Sequence, residues 1–305
     1  MGSQRLSLRR GALGLHQRWK NREVTTASDL LAEDDGGGLS TNTQPLVADY
    51  SEWSARDYFQ TYYSDAVLPD EQAVLAYQID VLSAAPSVFG RGLEYGCGPT
   101  MHRAIAASKY ALRIDMADWL EDNLDEAREW LSADESASQW NRFTRYVLAC
   151  EGHALPDDRT VLEREALTRN VVGGLYVSDA RVRQPLGPTR EAFFDFIITG
   201  FCIDAISSDR RVFRRCLGNI TSMLLPGGTF IIHALHRCKA YKCGERMFPG
   251  ANLGIDNMRD AMLEHGVAPS SIDVQVIPCP DNSPFGYSGI LTASGRMGTV
   301  GRTTT

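Results

Sequence analysis

The stretch that most constrains the fold is Leu93–Thr100, in which a short apolar run ends in Glu94 and two glycines follow at alternate positions. A helix-like segment, Met101–Tyr110, comes next, so the pattern predicts a strand, a tight turn and a helix. Glycine matters at Gly96 and Gly98 because a Cβ would disfavour positive φ and keep the backbone away from a ligand lying across the turn. The turn is therefore a candidate cofactor site, although it lacks the third glycine of the dinucleotide fingerprint.

Two later segments indicate which cofactor the turn would serve. The segment Ala111–Asp118 reads as a strand, and its closing Asp118 comes about 20 residues after the turn, where an acid can hydrogen-bond ribose hydroxyls. The segment Leu224–Ile232 reads as a helix end, a Pro-Gly-Gly turn and a buried strand. Together these features predict an S-adenosyl-L-methionine-dependent methyltransferase rather than a nicotinamide enzyme.

Composition favours a small-molecule enzyme. The 305 residues are 43% hydrophobic and 23% charged, which is ordinary for a soluble globular protein. The net charge of −7 argues against a nucleic-acid or anionic-membrane partner. Seven cysteines without a C-x-x-C pair are typical of free thiols in a reducing compartment. We therefore expect a cytoplasmic monomer that acts on a small-molecule acceptor, with neither nucleic acid nor membrane as partner.

Changes in residue composition divide the chain into four parts. Residues 1–45 turn from basic to acidic and glycine-rich and are expected to be a disordered arm, 46–90 to be an aromatic-rich helical cap, 91–295 to be the cofactor-binding domain, and 296–305 to be a flexible tail. Asp70 is a plausible N-terminal cap of a helix that runs to about Ser83. Clustered tyrosines ahead of the cofactor domain, Tyr58 and Tyr63, can close over a cation.

Alternating strands and helices predict a doubly wound α/β sheet. The run Phe193–Gly200 is nearly all apolar, as expected of a strand buried on both faces of a parallel sheet. Near the end of the chain, Ser271–Ile277 alternates with a period of two, and Tyr287–Ala293 can pair with it. The predicted fold is therefore Rossmann-like and mostly parallel, with an antiparallel strand pair at its C-terminal end.

The ordered motifs carry a specific likeness to a known family. The chain resembles the nicotinamide, phenylethanolamine and indolethylamine N-methyltransferases, a class I methyltransferase family with an N-terminal helical cap. The resemblance extends from about Tyr50 to Arg296. It implies S-adenosyl-L-methionine as cofactor and S-adenosyl-L-homocysteine as product. The residues that carry it include Arg56–Tyr63, Glu94–Thr100, Asp118–Trp119, Asn123, Gln184–Gly187, Cys202–Ala205 and Leu225–Gly228.

The resemblance also implies which residues contact the cofactor. Tyr58 and Tyr63 would close over cofactor and substrate. Gly96 would border the methionine part, Asp118 would bind the ribose, and Asp179 would lie beside the adenine. The complete set of implied cofactor positions is Tyr58, Tyr63, Glu94, Gly96, Cys97, Gly98, Thr100, His102, Asp118, Trp119, Asn123, Asp179, Ala180, Gly200 and Phe201.

Three positions depart from the family pattern. His102 stands where relatives commonly carry a tyrosine, and Gly200 stands where they commonly carry a threonine. His233 stands where they carry an acid that holds the substrate nitrogen. A neutral imidazole can accept a proton or bind a hydroxyl, carboxylate or amide, so His233 and Tyr58 are the catalytic candidates. His233 can equally be a structural histidine at a strand end.

The acceptor is expected to lie near the same strand end. The resemblance and the local chemistry give Tyr58, Asp204, His233, Arg237 and Tyr241 as candidate substrate-binding residues. The segment that begins at Arg237 is unusually basic, so it can meet an acidic group of the substrate or form a solvated loop. A metal is not expected, because the histidines and cysteines here match no compact zinc spacing.

The preferred function is transfer of a methyl group to a nitrogen of a small molecule, an amine or an N-heteroaromatic. Such a displacement needs the nucleophile held near the methyl and water excluded, and few catalytic residues. Two other interpretations stay open. One is a small-molecule O-methyltransferase that acts on a phenol or carboxylate with His233 as base or anchor. The other is a non-catalytic protein that binds S-adenosyl-L-methionine.

Overall fold

The computed structural model of the chain describes residues 47–51, 53–243 and 245–299. The predicted arm and residues 300–305 of the predicted tail lie outside this range. The helices in it are α1 (Ala55–Tyr62), α2 (Pro69–Ser83), α3 (His102–Ala107), α4 (Glu121–Leu131), α5 (Asn141–Cys150), α6 (Asp158–Val171), α7 (Arg210–Thr221) and α8 (Ile255–Glu264). The strands are β1 (Gly92–Tyr95), β2 (Ile114–Asp118), β3 (Val172–Val177), β4 (Phe194–Gly200), β5 (Leu224–Leu235), β6 (Ala240–Cys243), β7 (Arg246–Pro249), β8 (Asp273–Pro278) and β9 (Gly289–Arg296).

Seven of the strands form one sheet in the order β3-β2-β1-β4-β5-β9-β8. Strands β1 to β5 run parallel to one another. Strand β9 is antiparallel both to β5 and to β8. The prediction of a mostly parallel sheet with an antiparallel pair at its C-terminal end is therefore confirmed. The strand order reverses between β1 and β4, and ligands of such sheets bind where the carboxyl ends of those strands diverge.

Helices cover both faces of the sheet, and each face has its own apolar core. On one face, Leu75 and Ile79 of α2 belong to the same buried cluster as Ile231 of β5. On the other, Leu217 of α7 packs in a cluster with Ile232, the next residue of that strand. Successive residues of a strand point to opposite faces, so one continuous apolar strand serves both cores.

Some predicted boundaries are wrong in an instructive way. The helix α2 begins at Pro69 and is preceded by Leu68, so Asp70 lies inside the first turn and does not cap the helix. Proline suits that position because its φ is already helical and it lacks an N–H. The predicted helix end and turn at Leu224 belong instead to the long strand β5.

A helix and a hairpin lie over the carboxyl edge of the sheet. The hydroxyl of Tyr62, at the end of α1, donates a hydrogen bond to the carbonyl of Lys242 in β6. In the same β6/β7 hairpin, the rings of Tyr241 and Phe248 are stacked with centroids 5.5 Å apart. No helix in the described part of the chain is long and apolar enough to cross a bilayer.

Candidate active site

The glycine turn has the conformation that its sequence predicts. Gly96 and Gly98 have φ values of +68° and +58°. The N–H groups of Gly96 and Cys97 donate to the carbonyl of Ala117, at 2.7 and 3.1 Å, which fixes the turn to the end of β2. A Cβ on Gly96 would lie 2.1 Å from Sγ of Cys202. Glycine is therefore required there both for its backbone conformation and for space.

The carboxylate of Asp118 connects the turn to the following helix. It accepts hydrogen bonds from the N–H of Gly98 at 2.8 Å, the N–H of Leu120 at 2.9 Å and the side-chain amide of Asn123 at 2.9 Å. The amide oxygen of Asn123 in turn accepts the indole N–H of Trp53 at 2.9 Å. Burial raises the pKa of Asp118, and these donors oppose the rise. The segments after β1 and β2 thus share one carboxylate.

A cavity of about 440 Å³ opens at the carboxyl ends of β1, β2, β3 and β4, and we call it the large cavity. Its size is within the range of small-molecule sites, roughly 300–1,000 Å³. It brings together most of the residues that the sequence indicated. Those that line it are Tyr58, Gly96, Cys97, Gly98, Thr100, Asp118, Trp119, Asn123, Asp179, Ala180, Gly200, Phe201 and Tyr241.

One end of the large cavity has an ion pair that the sequence did not indicate. The guanidinium of Arg181 donates to both carboxylate oxygens of Asp179, at 2.9 Å each. The same guanidinium lies 4.9 Å from the ring centroid of Trp119. Although partial burial opposes the change, Arg181 lowers the pKa of Asp179. In the sequence, the only indication of this ion pair was that Arg181 follows Asp179 by two positions.

A second cavity of about 40 Å³, the small cavity, adjoins the first. The two share Tyr58, Phe201 and Tyr241 as walls. Six aromatic rings line the small cavity, and two adjacent carboxylates of α2 face it. These residues are Tyr58, Tyr62, Tyr63, Phe201, Tyr241, Tyr287, Asp70 and Glu71. Sequence reasoning missed the carboxylates because Asp70 was interpreted only as a helix cap.

The two carboxylates of the small cavity have different partners. Glu71 accepts from the hydroxyl of Tyr63 at 3.2 Å and from the guanidinium of Arg103 at 3.3 Å, and His102 Nε2 lies 3.4 Å away. Burial opposes ionisation of Glu71, yet Arg103 and His102 lower its pKa to about 2.

Asp70 accepts the N–H of Glu71 and the side-chain amide of Asn282. It forms no ion pair with any residue that the structure describes. Burial and the neighbouring Glu71 raise its pKa. When it is ionised, Asp70 therefore adds negative charge to the small cavity, and no described side chain pairs with it.

His233 lines neither cavity. Its side chain is 1% exposed and lies between the ring of Tyr77, 6.1 Å away, and the paired strand residue Thr292. Burial, with a smaller contribution from the nearby Arg103, lowers the pKa of His233 to about 3. The imidazole is thus buried and neutral, and neither of its ring nitrogens has a hydrogen-bond partner among the described residues, so its predicted contact with the acceptor gains no support from this geometry.

Other predicted site residues do not line the large cavity. Asp204 accepts the N–H of Leu235 at 2.8 Å and so holds the end of β5. The N–H of Arg237 donates to the carbonyl of Leu253 at 2.8 Å. Glu94 and His102 are buried and line neither cavity, and Tyr63 lines only the small one. The described residues include no cluster of three or more metal-ligating side chains.

Glu94 should make folding depend on pH. Burial raises its pKa to about 8 from an ordinary 4.5, with Arg103 opposing and Asp118 adding to the rise. The folded chain therefore keeps a proton that the unfolded chain releases between these values, and stability falls as pH rises across that window. In Glu94→Gln this decline should be absent. As the pH rises across the window, the free energy of unfolding of the variant should therefore increase relative to that of the wild type by up to about 1.4 kcal/mol per pH unit.

Urea unfolding of both proteins without ligand at pH 5.5, 7.0 and 8.5 measures the effect. Parallel pH profiles for wild type and Glu94→Gln would show that this carboxyl is ionised in the folded chain.

Comparison of the sequence with known proteins identifies the family to which the chain belongs. Residues 45–281 match the model of the NNMT/PNMT/TEMT family. Nicotinamide N-methyltransferase of Homo sapiens is 28% identical over 221 residues, which are 71% of this chain and 82% of the relative. Phenylethanolamine N-methyltransferase of Macaca mulatta is 28% identical over 241 residues, 76% of this chain and 84% of the relative. Indolethylamine N-methyltransferase of Mus musculus is 26% identical over 220 residues, 70% and 82% of the two chains.

The family match covers the glycine turn, the carboxylate that binds it, all the residues that line the large cavity and all but Tyr287 of those that line the small one. The resemblance that the sequence motifs indicated is therefore confirmed. The chain belongs to the NNMT/PNMT/TEMT family of S-adenosyl-L-methionine-dependent methyltransferases.

Proposed function

We propose that this enzyme transfers the methyl group of S-adenosyl-L-methionine to a nitrogen of a small molecule, with the cofactor in the large cavity and the acceptor nitrogen at the small one. The observation that carries the proposal is the junction of the two cavities at Tyr58, Phe201 and Tyr241. A donor in one cavity and an acceptor in the other would meet at these rings.

The residues of the large cavity fit the cofactor. Asp118 faces the cavity with a carboxylate that can accept ribose hydroxyls. Gly96, Cys97 and Gly98 of the turn line the same cavity, so that backbone can approach a bound ligand closely. We place the adenine near Asp179 and Ala180, which line the cavity beyond β3. When bound, S-adenosyl-L-methionine supplies a methyl group on a sulfonium that is already activated for displacement.

The small cavity suits a nitrogen that gains positive charge. As nitrogen takes a methyl group its charge rises, and groups that interact more strongly with the charged state accelerate the reaction. Asp70 supplies negative charge, and the tyrosine rings present faces that attract cations. The lid formed by Tyr58 and the hairpin residue Tyr241 would exclude water from the junction.

The chemistry of the cavity favours nitrogen over oxygen as the acceptor atom. A hydroxyl acceptor benefits from a neighbouring base, whereas a nitrogen with a free lone pair needs none. The base considered for the oxygen reaction, His233, lies outside both cavities. Burial raises the pKa of Tyr58, so its phenol is also unsuited to accept a proton.

We also propose that residues 46–90 form a cap over the site, as the sequence predicts, and that the enzyme acts as a cytoplasmic monomer.

Methyl transfer from labelled S-adenosyl-L-methionine tests the proposal. The acceptor panel contains N-heteroaromatics, arylalkylamines and phenolic acids of similar size. We expect label in nitrogen acceptors. Label confined to hydroxyl acceptors would overturn the reaction class, and cofactor binding without turnover on any acceptor would favour the non-catalytic alternative.

Asp70→Asn should weaken acceptor use and leave cofactor affinity unchanged. The amide keeps the shape and one of the two accepting oxygens but removes the charge that faces the developing cation. We expect kcat/KM for the best nitrogen acceptor to fall about 10- to 100-fold, the range of one charge-assisted contact. The affinity for S-adenosyl-L-homocysteine, measured by calorimetry, should stay at the wild-type value.

The exposed Asp122 of α4 provides a matched control for the loss of one carboxylate. Asp122→Asn should leave both quantities unchanged. Equal kcat/KM values for Asp70→Asn and Asp122→Asn would remove Asp70 from the acceptor site.

A further inference from the structure

The large cavity has two cationic side chains among its described lining residues, Arg103 and Arg181. Arg181 lies beyond β3, where its guanidinium donates to both carboxylate oxygens of Asp179. Arg103 lies beyond β4, over the ring of Phe201 at 5.2 Å. Strands β2 and β1 separate β3 from β4, so at about 4.8 Å per strand the two cations are at opposite ends of the cavity.

Arg103 is buried with part of its hydrogen-bonding capacity unused. Its residue is 3% exposed, one terminal nitrogen donates to Glu71 at 3.3 Å, and Nε has no partner among the described residues. Natural proteins rarely leave a buried charged donor unmatched, because its desolvation is then uncompensated. A ligand that brings a carboxylate to this position would supply the missing acceptor.

Gly200 makes room for this guanidinium. A Cβ at Gly200 would lie 2.7 Å from Nε of Arg103. The side chain of Arg103 therefore occupies the space that a side chain at residue 200 would take. The pairing explains why glycine stands at this strand end and why the cation reaches the cavity wall.

S-adenosyl-L-methionine has one carboxylate, on its methionine moiety, at the far end of the molecule from the adenine. With the ribose at Asp118 and the adenine at Asp179, that end extends past the glycine turn toward β4. We infer that Arg103 binds the carboxylate of the cofactor's methionine moiety, an inference that rests on the proposed function. The planar guanidinium suits a carboxylate because it offers several donors in one plane.

Matched ligands test the inference by binding alone. Decarboxylated S-adenosyl-L-methionine lacks only the carboxylate, whereas S-adenosyl-L-methionine has it. By calorimetry we expect the wild type to bind the decarboxylated ligand about 10- to 100-fold more weakly, the range of one charge-assisted contact. Arg103→Gln should lose that preference, because its affinity falls for S-adenosyl-L-methionine and stays nearly constant for the decarboxylated ligand.

Arg181→Gln is the control, and we expect it to weaken both ligands by one common factor. Equal affinity of the wild type for the two ligands would overturn the inference without any variant, even if Arg103→Gln fails to fold. A common loss for both ligands in Arg103→Gln would assign Arg103 a structural role instead. If the wild type transfers methyl groups but gives either of these two results, the inference about Arg103 fails and the proposed function stands. If the wild type binds neither ligand, both the inference and the proposed function fail.

Discussion

Replacement of Gly96 with alanine should abolish most cofactor affinity and lower the stability of the fold. The new Cβ would lie 2.1 Å from Sγ and 2.4 Å from Cβ of Cys202, so the turn or the segment after β4 must move. The φ of +68° adds strain for any residue with a side chain. Overpacking of about 1–3 kcal/mol and left-handed strain of about 1–2 kcal/mol together give a loss of several kcal/mol. Thermal unfolding and calorimetry with S-adenosyl-L-homocysteine measure the two effects.

Gly98 separates the two causes. Its φ is +58°, but the nearest atom to a built Cβ is Cγ2 of Thr100 at 3.9 Å, an ordinary contact. Gly98→Ala should therefore show only the backbone strain. Removal of the colliding side chain in Gly96→Ala/Cys202→Gly should recover part of the loss. If Gly98→Ala is as damaging as Gly96→Ala and the double variant recovers nothing, the collision with Cys202 is not what makes glycine necessary.

The features predicted from sequence are those that adjacent residues determine. Gly96, Gly98 and Asp118 lie at the ends of neighbouring strands, so the strand pattern alone brings them together. The antiparallel pair was also predictable, because alternation with a period of two is a local signal. What the pattern could not give is the insertion of β9 between β5 and β8, since strand order depends on contacts across the whole chain.

The acceptor side was harder to predict because its charges come from distant elements. Asp70 and Glu71 open a helix, and acids there are ordinarily favourable for the helix dipole alone. Only the fold turns them toward the rings of Tyr241 and Tyr287, more than a hundred residues away in the chain. His233 shows the opposite case, because a histidine at a strand end resembles a site residue in the sequence, whereas in the fold it lies near Tyr77 of α2 and lines neither cavity.

Replacement of Asp118 with alanine should remove cofactor binding while the sheet remains folded. The change deletes the acceptor of three hydrogen bonds, from Gly98, Leu120 and Asn123. It also deletes the carboxylate proposed to bind the ribose. Loss of hydrogen bonds to a charged group costs about 1.5–3 kcal/mol each, so two ribose contacts imply an affinity at least about 100-fold lower. Calorimetry with S-adenosyl-L-homocysteine measures the loss, and circular dichroism checks the fold.

Asp118→Asn distinguishes support of the turn from direct binding. If its amide oxygen takes the position that accepts from Leu120 and Asn123, the amide nitrogen must face the N–H of Gly98, which then has no acceptor. We expect an affinity between those of wild type and Asp118→Ala, because one set of contacts survives. Adenosine, which has the ribose but no methionine moiety, should lose affinity in both variants. Because adenosine has no methionine moiety, a retained adenosine affinity in Asp118→Ala would contradict the ribose assignment, and with it the cofactor placement from which the inference about Arg103 starts.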